Sequence, residues 1–167
     1  MLDRAFDELL HGKGAHADPV ACLEDVPAGM AGKTIDGFPH SIWQLLSHMN
    51  YWMDYEIKRI ADEAPPYPER ASLSWPTEAA PASEKDWSNA KVTFSALLQK
   101  LSNLAQSPPD ALAREVNPMH PGHTKMASSL QSVLWQTLVH NSYHTGQIAV
   151  IRRGLGTWPP RSGGDTW

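Results

Sequence analysis

Apolar positions recur at helical spacing in four stretches of the chain, and no run of alternating strand pattern lies between them. In residues 2–11, Leu2, Phe6, Leu9 and Leu10 share one face, and Gly12 and Gly14 stop the pattern. Ser41 reads as the N-cap of a long helix to about residue 63. Its wide apolar stripe is Ile42, Leu45, Leu46, Met49, Trp52 and Met53, extended by Ile57 and Ile60. Ser83 followed by Asp86 resembles a capping box with Asp in place of Glu. It opens a third helix from about 84 to 106, on Trp87, Phe94, Leu97, Leu98, Leu101 and Leu104, which Pro108 and Pro109 end. The last helix runs from about 127 to 153, with Gly154 and Gly156 as terminators.

The intervening segments read differently. Asp18 as N-cap with Pro19 at the first helical position predicts a short helix around 18–25. Residues 27–40, punctuated by glycine and proline, predict a loop, and 65–81, with five prolines, a long connection. A connection of that length frees the helices it joins from being antiparallel neighbours. A helical turn is expected at 109–115. The tail TWPPRSGGDTW is non-helical, and its two tryptophans predict that it packs back over the helices. The expected fold is all-α: a four-helix bundle with long loops and a non-helical C-terminal tail, residues 1–167 forming a single domain.

Composition narrows the function classes. The formal charge is −4 and Lys and Arg are scattered, so the basic stripe that displaces counterions from a phosphate backbone is missing. Nucleic acid is therefore not an expected partner. Cys22 is the only cysteine, which excludes an intrachain disulfide. The first residues, MLDRAFDELL, lack a signal peptide's basic start and apolar run, and no segment approaches the ~20 apolar residues of a membrane span. A cytoplasmic location is the expectation.

Among eight histidines, His140 and His144 stand at i and i+4, one turn apart on a single face. That spacing lets two imidazoles chelate one ion, although alone it carries little weight. The face also holds Val133, Thr137, Gln147 and Ile151, so it points inward, and two buried imidazoles within reach of each other need a shared partner. His48, on the Leu45–His48–Trp52–Tyr55 face of the second long helix, supplies a third. It lies ~10 Å along its helix from the start, and His144 lies ~14 Å before the end of its own, with His140 one turn deeper. Antiparallel helices bring all three to similar depth, whereas parallel helices would separate His48 from His144 by roughly 14 Å. His11, His16, His40, His120 and His123 read as loop or surface histidines.

These residues resemble a known family. Ser41-Ile42-Trp43-Gln44-Leu45-Leu46-Ser47-His48 with Tyr51-Trp52, then His140-Asn141-Ser142-Tyr143-His144-Thr145-Gly146-Gln147-Ile148, then Arg152, Gly154 and Trp158-Pro159-Pro160 are similar to the DinB/YfiT-like superfamily over nearly the whole chain. The resemblance implies a bundle of up-down-down-up topology and one divalent metal on His48, His140 and His144. It also implies a homodimer. Relatives include thiol-dependent S-transferases and a mycothiol-dependent maleylpyruvate isomerase, so a metal-dependent enzyme acting on a small molecule or low-molecular-weight thiol, S-transferase-like or hydrolase-like, is the expected class. The alternative is a non-catalytic metal-binding stress-response protein.

Three neutral imidazoles suit Zn²⁺ or Ni²⁺, and Fe²⁺ and Mn²⁺ are compatible. Tyr51, Tyr55, Thr137 and Gln147 are the polar groups that can orient a ligand around such an ion. Asp54 and Glu56 read as rotated away from His48 and solvated, which leaves no evident general base. Arg152 and Arg153 read as cations complementing a helix C-terminus. Trp43, Trp52, Trp135 and Trp158 read mostly as core or interface residues, with Trp52 placed to line a pocket.

Overall fold

A computed structural model describes residues 2–118 and 128–164. Four long helices dominate it: α1 (Leu2–Leu10), α3 (Ile42–Ile60), α4 (Glu84–Ala105) and α6 (Leu130–Gly154), with the short helices α2 (Ala28–Ala31) and α5 (Pro109–Leu112) between them. Among the described residues, no helix is long and apolar enough to cross a membrane. The segments read as plain loops are more structured than their composition suggests. Residues 27–40 contain α2, and 65–81 contain a 3-10 turn at Ala71–Ser74. Conversely, the helix expected at 18–25 shrinks to a 3-10 turn at Ala21–Leu23. Its N-cap is Val20, not the expected Asp18, but Asp18 Oδ1 accepts from Val20 N at 2.7 Å and Ala21 N at 3.1 Å just ahead of the turn.

The N-caps predicted at Ser41 and Ser83 both form. Ser41 Oγ accepts from Gln44 N while Gln44 Oε1 accepts from Ser41 N, a complete capping box at the start of α3. At α4, Ser83 Oγ accepts from Asp86 N, but the Asp86 carboxylate accepts from the Ser83 hydroxyl at 2.6 Å. Asp is one methylene shorter than Glu, and it turns to the nearer donor.

The stripes of α1, α3, α4 and α6 bury one shared cluster that includes Phe6, Leu45, Met49, Met53, Phe94, Leu98, Leu101, Leu134, Ile148 and Ile151. Such burial supplies about 1.5–3 kcal/mol per large side chain. Arg114 ties the end of α3 to the start of α6: its guanidinium donates to Ile60 O at 2.8 Å and its carbonyl accepts from Leu130 N at 2.9 Å. The end of α3 thus lies beside the start of α6, while His48, about one and a half turns into α3, meets His140 and His144 deep in α6, so the two helices run antiparallel. A two-residue antiparallel ladder, Glu115–Val116 with Ser128–Ser129, precedes α6. A pairing that short leaves no alternation to read in a sequence.

α6 ends on a Schellman motif. Thr157 N donates to Arg152 O and Gly156 N to Arg153 O, with Gly156 at φ +70° as the turn requires. The start of the tail then packs back, Trp158 against the core and Arg153 over its ring at 4.6 Å, while Trp167 lies outside the described residues. Arg152 does more than complement a helix dipole. It is 1% exposed and donates to Cys22 O at 2.8 Å, Thr157 O at 2.7 Å and Asp25 Oδ1 at 2.6 Å, joining α6, the tail and the 22–25 turn. Arg152→Met leaves those acceptors without their donor and should cost about 2–4 kcal/mol, roughly 5–15 °C in Tm. Arg153→Ala, which loses only an exposed ring contact, should cost under about 1 kcal/mol in the same thermal unfolding experiment.

Candidate metal centre

α3 and α6 carry His48, His140 and His144 on the faces they turn to each other. His48 and His144 are buried and His140 half-buried, and one nitrogen from each lies within 4.8 Å of the others. His140 Nε2 is 3.2 Å from His48 Nε2 and 3.1 Å from His144 Nε2. Among the described residues, no Asp, Glu or Cys joins this group.

Hydrogen bonds on the far side of two rings settle their tautomers. Ser74 Oγ lies 2.7 Å from Ala71 O and 2.9 Å from His48 Nδ1. The hydroxyl hydrogen goes to the carbonyl, so Ser74 Oγ accepts from His48 Nδ1–H and His48 Nε2 is left bare. Gln147 Oε1 accepts from His144 Nδ1–H at 2.6 Å, which bares His144 Nε2 in turn. Two lone pairs therefore face His140 Nε2, and a single N–H there cannot serve both acceptors well. A shared cation satisfies all three nitrogens at once. Donors 2.0–2.1 Å from one ion lie ~3.3–3.4 Å apart in tetrahedral geometry and ~2.9 Å apart at octahedral right angles. Both separations from His140 Nε2 fall between, and the three residues can hold a metal ion.

Aromatic rings enclose the group. Trp75 stacks on His48 at 3.8 Å and meets His144 edge-on at 5.7 Å. Trp52 meets His48 edge-on at 6.3 Å, and Tyr51 and Tyr55 each pack against Trp52 at 5.3 Å. Of the polar residues read from sequence, Gln147 touches the histidines directly. Thr137 turns its hydroxyl to Val133 O in its own helix at 2.9 Å, and the two tyrosine rings pack against Trp52.

Ser74 and Trp75 were not legible, because they come from the proline-rich connection and carry no periodicity. His40, read as a loop histidine, stacks on Trp75 at 3.9 Å. His11 instead pairs with Asp18 at 2.9 Å, and His16 meets Ala17 O at 2.8 Å. His120 and His123 lie outside the described residues. Glu56 is a correction: it is buried and ion-paired to buried Arg59 at 2.7 Å, not solvated. Arg59 at i+3 was the signal for that pairing. Asp54, half-exposed, pairs with Lys58 at 2.6 Å.

Burial keeps the three imidazoles neutral. It depresses His48 to about 3, helped by His140 and His144, and His140 to about 4, helped by His144. Burial also holds His144 below the usual range, although its bond to Gln147 opposes the shift. Imidazoles depressed in this way contribute stability above the unfolded value of about 6.5, and that stability is lost as pH falls toward the folded values. Thermal unfolding in chelator should therefore show Tm falling between about pH 6.5 and 4. His140→Gln should flatten this profile, and an equally steep profile in the variant would contradict the assignment.

No curated protein and no solved structure matches the chain. The DinB family model matches residues 1–164, nearly the whole of it. With its helical architecture and its buried histidine cluster, the chain belongs to the DinB family.

Proposed function

We propose that the chain is a divalent-metal protein of up-down-down-up topology, with His48, His140 and His144 as the ligands and Zn²⁺ or Ni²⁺ as the ion. The reading rests on one observation: three Nε2 atoms converge, two of them bared by Ser74 and Gln147. The absence of a carboxylate or thiolate from the group, among the described residues, favours a site with an open position.

We further propose that this position serves chemistry on a small molecule, S-transfer from a low-molecular-weight thiol ahead of hydrolysis. When bound, the ion supplies an electrophilic centre that makes a thiol or water a nucleophile near neutral pH. The chain's own part is to keep the imidazoles neutral and aimed. Ser74 and Gln147 hold the Nδ1 protons in place, while Trp52 and Trp75 limit water beside His48. The second reading, a non-catalytic metal protein, draws support from the lack of a carboxylate base in the histidine group.

A homodimer is part of the proposal. Val139, Tyr143 and Val150 are exposed on α6, and a Cβ on Gly146 would meet nothing within 4 Å. Their spacing places all four on one face. α6 carries no Asp, Glu, Lys or Arg from Leu130 to Ile151, so a second copy can pack there without like-charge repulsion.

Elemental analysis with light scattering tests these points on one preparation. Wild type should carry roughly one divalent ion per chain and run as a dimer. His48→Ala and His144→Ala should each carry less than a tenth as much. Unchanged metal content in both variants would refute the ligand assignment. Wild type should also consume an electrophile in the presence of a low-molecular-weight thiol, and inactivity across thiol and ester panels would favour the non-catalytic reading.

A further inference from the structure

We propose that the segment from Ala71 to Ala79 is a positioning element of the metal centre, with Ser74 setting the tautomer and Trp75 the ring plane of His48. The inference rests on the reading of His48 as a ligand, and concerns residues that do not themselves reach the ion.

A histidine on a helix can turn about two side-chain dihedrals, so aiming its Nε2 requires restraints on both. Ser74 provides one: it is buried, and its hydroxyl is committed to Ala71 O, so toward His48 it can only accept. Only the Nδ1–H tautomer satisfies that bond. Trp75 provides the other. Its indole is nearly parallel to both His48 (12°, 3.8 Å) and His40 (10°, 3.9 Å). Two rings that close to one indole would overlap each other on a shared face, so His40 and His48 lie on opposite faces. The indole is thus clamped, and His48 is held flat against it. Trp52, edge-on at 6.3 Å, stands beside the same imidazole.

The segment is anchored to the helix whose ligand it steers. Gln44 Nε2 donates to Pro76 O at 3.1 Å and Ser41 Oγ donates to Ala79 O at 2.5 Å. Both are capping-box residues of α3, so the groups that start the helix also fix the loop against it. Next to them, Ala80 packs so closely on Gly32 that a Cβ on the glycine would lie 2.4 Å from the alanine Cβ. A turn that merely closed on itself through Ser74–Ala71 would need none of these attachments.

Ser74→Ala and Ser74→Thr, with Trp75→Leu as a second probe, test the inference. Zn²⁺ affinity by chelator competition and imidazole ¹⁵N NMR of the metal-free proteins are the readouts. Ser74→Ala should weaken Zn²⁺ binding about 10–100-fold and turn His48 from a single Nδ1–H tautomer into a mixture. Ser74→Thr, which keeps the hydroxyl, should restore both. Trp75→Leu should weaken binding while leaving the tautomer intact. Affinity within roughly twofold of wild type and an unchanged tautomer in Ser74→Ala would overturn the positioning role while leaving the ligand reading standing. Wild type that bound no Zn²⁺ would remove the ligand reading and the metal role of this segment, whereas the ¹⁵N spectra would still decide whether Ser74 sets the tautomer.

Discussion

Three uncharged imidazoles facing one another inside a helical bundle form an arrangement that proteins rarely tolerate without a partner. Protonation would relieve the crowding of lone pairs in water, but here burial pushes His48 to about 3 and His140 to about 4. The nitrogens are therefore available as ligands at neutral pH and unavailable as cations. The antiparallel setting of α3 against α6, the bond His144 donates to Gln147 and the loop laid over His48 all serve that convergence.

The attachments around the site economise on residues. Ser41 and Gln44 cap α3 and at the same time hold carbonyls of the following loop, so the helix start and the loop over His48 form one unit. At the far end of α6, Arg152 accepts from Thr157 N through its carbonyl and donates to Thr157 O through its guanidinium. The same guanidinium reaches Cys22 O and Asp25. α6, which bears two of the three histidines, is thereby fixed to both the N-terminal turn and the tail.

The parts of this design readable in the sequence are those that repeat along a helix. The apolar stripes located α1, α3, α4 and α6 to within a few residues, and the depths of His48 and His144 called for antiparallel helices. Gln147 was legible because it stands three residues from His144 on the same helix. Ser74 was not, because it reaches His48 across 26 residues of chain through an irregular connection. His40 and Trp75 escaped for the same reason: a stack between two loops leaves no spacing to detect. Glu56 departs from its expected place because rotation away from His48 does not mean exposure: Arg59, three residues on, pairs with the carboxylate inside the protein.

Metal-edge X-ray absorption of the purified protein addresses the convergence of the three rings most directly. The account predicts an inner shell of nitrogen and oxygen at about 2.0–2.1 Å with outer-shell scattering from three imidazoles, and a metal-edge signal that falls to less than about a tenth in His48→Ala. An inner shell lacking imidazole scattering, or a signal unaltered by that substitution, would contradict it.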